Sequence, residues 1–217
     1  MLVGVDEAGR GPVLGSMYIA AVGVPSRDLL PDGIDDSKRL SSLQRQKLAR
    51  TLAETEGIDT AVQEVPVSVI DEPATTLTTV TIEAVQSVIQ TITGDEDGNV
   101  TCVLDAADVN EERYARRVSQ GMPASYAITA NHGADGDDPV VGAASIIAKE
   151  HREQHVASLT STYGEVGSGY PSDPVTRTFL ASYLEQQGEL PPCARLSWKT
   201  CRDVLDEAAQ GSLDDFV

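Results

Sequence analysis

Val3-Gly4-Val5-Asp6-Glu7-Ala8-Gly9-Arg10-Gly11-Pro12 is the stretch on which the reading of this chain turns. Leu2–Val5 is a short apolar run of strand type, and two adjacent carboxylates stand where it ends. A Gly-Arg-Gly-Pro turn follows at once. Acids at a strand end lie at a sheet edge, within reach of ligands and metals. Gly9 and Gly11 remove two Cβ atoms, so backbone N–H groups can approach a bound molecule closely. A solvated turn is the plain alternative in so acidic a chain; the flanking glycines and the single arginine weigh against it. Ser16–Val24, rich in β-branched and small apolar residues, reads as a second strand. No helix separates the two strands, so they predict an antiparallel hairpin and a mixed sheet.

Working outward, the loop from Pro25 to Asp36 holds two prolines and several acids, and Ser41 or Ser42 caps a helix running to about Thr55. Thr60–Val67 reads as a third strand and Thr76–Ile92 as a helix, followed by an acidic turn at Gly94–Gly98. Thr101–Leu104 is a short buried strand ending in Asp105. A helix is expected from Asn110 to about Gln120, with Asp108 as its favoured N-cap, then a strand at Ser125–Thr129. Asp138-Pro139 opens a long helix to about Thr160, with proline in its first turn. A Gly/Pro-rich loop at 164–174 precedes helices near 174–187 and 197–209. Five strands interspersed with helices predict an α/β domain with a mixed five-stranded central sheet flanked by helices. The expected division is a catalytic domain at 1–190, a C-terminal helical extension at 191–209 and a tail at 210–217.

The 217 residues suffice for a real core, and no apolar run approaches the length of a membrane helix. With no recognisable signal peptide either, a cytoplasmic protein is expected, without membrane contact. Cys102, Cys193 and Cys201 form no CxxC pair and fit reduced thiols. The formal charge of −18 would ordinarily argue against a nucleic-acid partner. Only 4 of the 16 basic residues are lysine, and acid excess with scarce lysine looks like the composition of a protein from a high-salt cytoplasm. At about 1 M salt the Debye length is about 3 Å, so a repulsive surface barely reaches a ligand. Hydrogen bonds, stacking and metal are then expected to dominate substrate binding.

Further blocks stand at wide spacing: Asp36-Ser37-Lys38-Arg39-Leu40, Val103-Leu104-Asp105-Ala106-Ala107-Asp108, and His132-Gly133-Ala134-Asp135 running into Pro139–Lys149. Gly169-Tyr170-Pro171-Ser172-Asp173-Pro174 follows. Asp6, Glu7 and Asp105 sit at or beside strand ends, and Asp135 in a loop before a helix. Of these, Asp135 has the weakest local signal, because Asp137 and Asp138 follow it. Four carboxylates gathered from three places in the sequence would repel one another without cations. Mg²⁺ and Mn²⁺ prefer oxygen ligands, and two such ions about 4 Å apart can activate a water and steady a leaving oxygen.

In order and spacing the set resembles type 2 ribonuclease H (RNase HII) in its archaeal form, over about residues 1–205. The resemblance implies an RNase H-like fold and a metal-dependent endoribonuclease. Such an enzyme hydrolyses the RNA strand of RNA/DNA hybrids and cuts on the 5′ side of ribonucleotides within duplex DNA, leaving 5′-phosphate and 3′-hydroxyl ends. It implies Asp6, Glu7, Asp105 and Asp135 as catalytic, metal-binding acids for two divalent ions, Mn²⁺ or Mg²⁺, with Asp6 bridging. It also implies that Gly9, Arg10 and Gly11 sense the 2′-hydroxyl through their backbone while Tyr170 packs on the sugar beside the cut. Lys38, in a loop, is expected to meet phosphate. Lys149 is open between phosphate contact and an internal salt bridge. Arg195, Lys199 and Arg202, spaced for one helix face, either grip a nucleic-acid backbone or pair with nearby acids.

His151 and His155 lie four apart but lack the HExxH pattern, so a solvated helix face is expected. Gly9, Gly11 and Gly15 miss the dinucleotide spacing, and a strand follows them instead of a helix. At the terminus, Gln210-x-x-Leu213-x-x-Phe216 resembles the peptide that docks on sliding clamps such as PCNA. Gln210 would enter a polar pocket while Leu213 and Phe216 form an apolar plug. Apart from that partner, a monomer is expected. The rival readings are another nuclease or recombinase on the same fold, and a non-catalytic clamp-binding or duplex-binding protein. The Gly-Arg-Gly turn with Tyr170 weighs against the first, and the four placed acids against the second.

Overall fold

The computed structural model describes residues 1–34, 40–94 and 98–214, with side chains through residue 210. In chain order the elements are β1 (Leu2–Ala8), β2 (Met17–Val24), α1 (Ser42–Glu54), β3 (Asp59–Val65), α2 (Val67–Ile70), α3 (Leu77–Thr93), β4 (Val100–Asp105), α4 (Glu111–Ser119), β5 (Tyr126–Asn131), α5 (Ala134–Asp137), α6 (Pro139–Tyr163), α7 (Pro174–Gln187) and α8 (Lys199–Asp214). A 3₁₀ turn at Arg27–Leu29 lies between β2 and α1.

The five strands form one mixed sheet in the order β3-β2-β1-β4-β5. β1 runs antiparallel to β2 and parallel to β4, which is itself parallel to β5. The hairpin expected from the first 24 residues is present, with Leu2 opposite Val24 and Ala8 opposite Tyr18. Asp6 and Glu7 are therefore not beyond the strand, as their polarity led us to expect, but inside it, paired with Ala20 and Ile19.

Alternation along β1 sorts its side chains to two cores. Val3 and Val5 join residues of α3 and α4 such as Val85, Ile89 and Tyr114 on one face. On the other face Ala8, Ala20 and Val22 pack against Val140, Ala144 and Ile147 of α6 and Leu52 of α1. A third core joins Val13 and Leu14, from the turn after β1, to Leu159, Val166, Leu180, Cys193, Ala194 and Cys201.

Local chemistry sets the helix ends. Ser41 accepts the N–H of Gln44, whose side chain reaches back to the cap in a reciprocal box. Asp138 caps α6, with Pro139 in the first turn, and Asp173 does the same for α7 with Pro174. At α4 the expectation fails. Asn110, not Asp108, accepts the N–H of Arg113 as N-cap, while Asp108 is taken up by the Arg113 guanidinium. The long α6 can lie close to the sheet because Gly4 has no Cβ. A Cβ there would sit 2.3 Å from the carbonyl carbon of Val140.

Candidate active site

β1 and β4 are neighbours and parallel, and their pairing ends at Val5 opposite Leu104. The next residue on each is an acid, so Asp6 and Asp105 stand side by side at the carboxyl ends of parallel strands, where open α/β sheets bind ligands. Asp105 also sits opposite Asn131 at the end of β5. Its carboxylate accepts the N–H groups of Gly133 and Ala134 at 2.8 and 3.1 Å. Those bonds draw the turn after β5 against β4 and bring Asp135 to the same edge. Asp135 lies in the single-turn helix α5 rather than in a loop, and it is 8% exposed.

Asp6 points toward α6, where Ser145 and Lys149, one turn apart, face it. Burial pushes its carboxyl from the ordinary 3.8 up to about 6; the Ser145 hydroxyl, the Glu7 N–H and the Lys149 charge pull down, while Asp105 pushes up. The buried Ser145 Oγ feels Asp6 but makes no well-formed hydrogen bond among the described residues. Lys149 Nζ lies 3.6 Å from Asp135 Oδ2. It pairs internally, one of the two roles left open for it by sequence, and it also lines the cleft.

Glu7 points to the other face. Burial raises its carboxyl to about 7, against the pull of Arg10 and with further push from Asp6 and Asp105. Arg10 Nε is 3.8 Å from Glu7, and its guanidinium donates to Thr81 and Thr78 of α3.

Glu7 thus feels the charge of Asp6 and Asp105, Asp6 feels that of Asp105, and burial holds Asp6 and Glu7 well above the usual carboxylate range. Among the described residues no three side chains of His, Cys, Asp or Glu close around a single point. The acids line a mouth and do not form a finished cage. The donor set is all oxygen, as hard divalent cations require, and cationic charge would relieve the unfavourable burial. The residues fit such an ion.

Beside the acids lies a cleft of about 520 Å³ lined by Glu7, Gly9, Arg10, Gly11, Lys149 and Tyr170, with Arg45 and Arg152. Gly9, Arg10, Gly11 and Tyr170 are brought together as expected, and Tyr170 is 47% exposed. Gly9 has φ +83°, and a Cβ on it would press on the Arg152 side chain at 2.9 Å. A Cβ on Gly11 would sit 3.6 Å from the Tyr170 ring. Four cations gather at this one cleft in a chain of net charge −18.

Lys38 and Phe216 lie outside the described residues. Gln210 is exposed on α8, which runs on through position 213 to Asp214, beyond the expected end at 209. The proposed cationic helix face does not form. Arg195 precedes α8 and is fully buried, Lys199 pairs with Asp203, and Arg202 donates to the Ser197 carbonyl. His155 is not on a solvated face either: its Nε2 accepts the N–H of Ser16 and its ring packs on Tyr18. Sequence reasoning missed Ser145, Arg45 and Arg152. The spacing of Ser145 to Lys149 was a usable signal for one of them, since four residues on a helix share a face.

A family model for ribonuclease HII matches residues 3–201. The chain is 49% identical to the ribonuclease HII of Natronomonas pharaonis over 99% of both chains, and further relatives of that name come from halophilic archaea at 47%. The ribonuclease H2 of Pyrococcus horikoshii OT3 superposes with a TM-score of 0.86 at 35% identity, covering 95% of this chain and 97% of that one. The RNase HII in the PCNA:RNase HII complex of Archaeoglobus fulgidus gives 0.83 at 34%, covering 94% and 96%. With its acids in β1 and at the end of β4, its fold shared over nearly full length and its sequence matched from residue 3 to 201, the chain belongs to the ribonuclease HII family, metal-dependent endonucleases that degrade the RNA of RNA/DNA hybrids.

Proposed function

We propose that this enzyme also cuts on the 5′ side of single ribonucleotides embedded in duplex DNA, leaving 3′-hydroxyl and 5′-phosphate ends. Its work would be ribonucleotide excision and RNA primer removal. The observation that carries the reading is the junction of two features in one cleft. Glu7, which feels the charge of Asp6 and Asp105, lines the same cleft as the Gly9-Arg10-Gly11 turn and Tyr170.

Asp6, Glu7, Asp105 and Asp135 would hold two divalent ions, Mn²⁺ or Mg²⁺, which when bound supply an activated water and charge for the leaving oxygen. The protein's part is placement. Asp105 is fixed by the Gly133 and Ala134 N–H groups, and Asp135 is steadied by Lys149. Arg10 is tied to Thr78, Thr81 and Glu7, which leaves its backbone, not its guanidinium, to meet substrate. A 2′-hydroxyl both donates and accepts, so backbone N–H groups of the turn can recognise its oxygen. Tyr170, exposed at the rim, would lie on the sugar beside the cut.

The clamp complex of the Archaeoglobus relative supports a second proposal, that Gln210, Leu213 and Phe216 dock on a sliding clamp. The extension of α8 through position 213 to Asp214 suits it, because it places positions 210 and 213 within one helical turn.

The site assignment is tested with Asp105→Asn, which keeps side-chain shape and removes a ligand charge. Hydrolysis of an RNA/DNA hybrid at saturating Mg²⁺ should be nearly abolished. Near-normal turnover would overturn the two-ion assignment.

A further inference from the structure

Among the described residues Arg195 is the largest fully buried side chain, and it forms no ion pair there. A guanidinium without a counter-ion is costly to bury unless its donors are satisfied. Here the donors go to backbone carbonyls of one short segment: Nη2 to Gly9 at 2.6 Å, Nη1 to Arg10 at 2.9 Å and Nε to Gly15 at 2.8 Å. The Trp198 ring lies over the guanidinium, 4.9 Å from its centre, and its own N–H donates to Gly11 at 3.1 Å. The pair therefore holds the carbonyls of all three residues of the Gly-Arg-Gly turn from a segment about 185 positions away.

Peptide planarity gives this grip a direction. In a trans peptide the C=O of one residue and the N–H of the next point to opposite sides. Holding the Gly9 carbonyl toward Arg195 turns the Arg10 N–H away from it, and holding the Arg10 carbonyl does the same for the Gly11 N–H. The Gly11 carbonyl precedes Pro12, which has no N–H to aim. Gly9, Arg10 and Gly11 line the cleft and Arg195 does not.

We propose that Arg195, backed by Trp198, is a positioning residue for sugar discrimination: it fixes the peptide planes of residues 9–11 so that two N–H donors face the sugar beside the cut. This inference rests on the sugar-sensing reading of that turn. A lysine at 195 cannot reproduce the fork, because one ammonium does not span three carbonyls in a fixed plane.

The test is binding in Ca²⁺ of two duplexes, one all DNA and one carrying a single ribonucleotide, by wild type, Arg195→Lys and Trp198→Phe. The wild type should prefer the ribonucleotide. Arg195→Lys should lose about tenfold on the ribonucleotide duplex, the worth of a misplaced hydrogen bond, with little change on DNA. Trp198→Phe, which keeps a ring over the guanidinium and removes the N–H to Gly11, should shift the same way by less. Mn²⁺ affinity, read by calorimetry, should not move. Equal weakening on both duplexes, or an unchanged preference in a folded variant, would overturn the positioning role. If Arg195→Lys does not fold, Trp198→Phe decides alone. A wild-type enzyme that binds the two duplexes alike would overturn the sugar-sensing reading itself, and this inference with it.

Discussion

Replacing Asp6 by asparagine should stabilise the metal-free protein at pH 8 while removing its activity. Asp6 is 6% exposed, and burial with help from Asp105 lifts its carboxyl from 3.8 to about 6. The folded-state value lies above the unfolded one, so the fold binds this proton more tightly than the open chain does. The resulting stability is fully present below the unfolded value and is lost as pH rises through the folded one. At pH 8 the metal-free fold carries the charge at a cost of about 3 kcal/mol, roughly two pKa units at about 1.4 kcal/mol each. Asparagine escapes that cost and keeps an oxygen for the Glu7 N–H, which Asp6 now accepts at 2.7 Å. The pull of Lys149 is already inside that figure, but the asparagine amide brings N–H donors that need partners in a buried site, so the net gain should be about 1–2 kcal/mol, or about 2–8 °C in Tm for a chain of this size. The assay is unfolding of chelator-treated wild type and variant in molar KCl at pH 4 and pH 8. The variant should be more stable at pH 8, with the difference closing toward pH 4, where the wild-type acid is protonated. Mn²⁺ should then stabilise the wild type more than the variant. A variant less stable than wild type at both pH values would refute the reasoning and make Asp6 a structural acceptor.

Three other outcomes are expected. Gly4→Ala should destabilise the fold by about 3 kcal/mol in denaturant titration, because its Cβ would meet only α6 backbone at 2.3–2.4 Å, which cannot yield as a side chain can; a midpoint near wild type would show that α6 lies further from β1. Tyr170→Ala should lower kcat/KM on a DNA-flanked ribonucleotide by an amount equivalent to about 1–3 kcal/mol of stacking, leaving stability and metal affinity unchanged, and normal cleavage at subsaturating substrate would make it a packing residue. Truncation after Asp214 should abolish pull-down on the sliding clamp and spare hydrolysis of short duplexes; retained clamp binding would end the docking proposal.

The parts of this molecule that follow from local chemistry were legible in its sequence. Ser41 before its helix, Asp138-Pro139 and Asp173-Pro174 carry their own start signals within four residues, and the structure uses all three. The length of β1 was hidden. Asp6 and Glu7 look like the end of an apolar run, but pairing to Ala20 and Ile19 continues through them. The cap of α4 was ambiguous by composition, since Asp108 and Asn110 can both accept; Arg113 settles it by occupying Asp108. Arg195 was the least legible residue. Its helical spacing with Lys199 and Arg202 suggested a surface face, and nothing within ten positions announces carbonyl partners at Gly9, Arg10 and Gly15. The candidate acids left a clearer trace, because Asp6 and Glu7 follow an apolar run and Asp105 ends one, and β1 and β4 are parallel neighbours.

The most direct test of the central claim is incubation of the full chain, in molar KCl, with a DNA duplex holding one ribonucleotide, with Mn²⁺ and with a chelator. The account predicts a single cut on the 5′ side of the ribonucleotide, with 3′-hydroxyl and 5′-phosphate ends, only when the metal is present, and none in the all-DNA duplex. Cleavage of the all-DNA duplex, cutting in the presence of the chelator, or an intact ribonucleotide duplex beside a degraded RNA/DNA hybrid would contradict it.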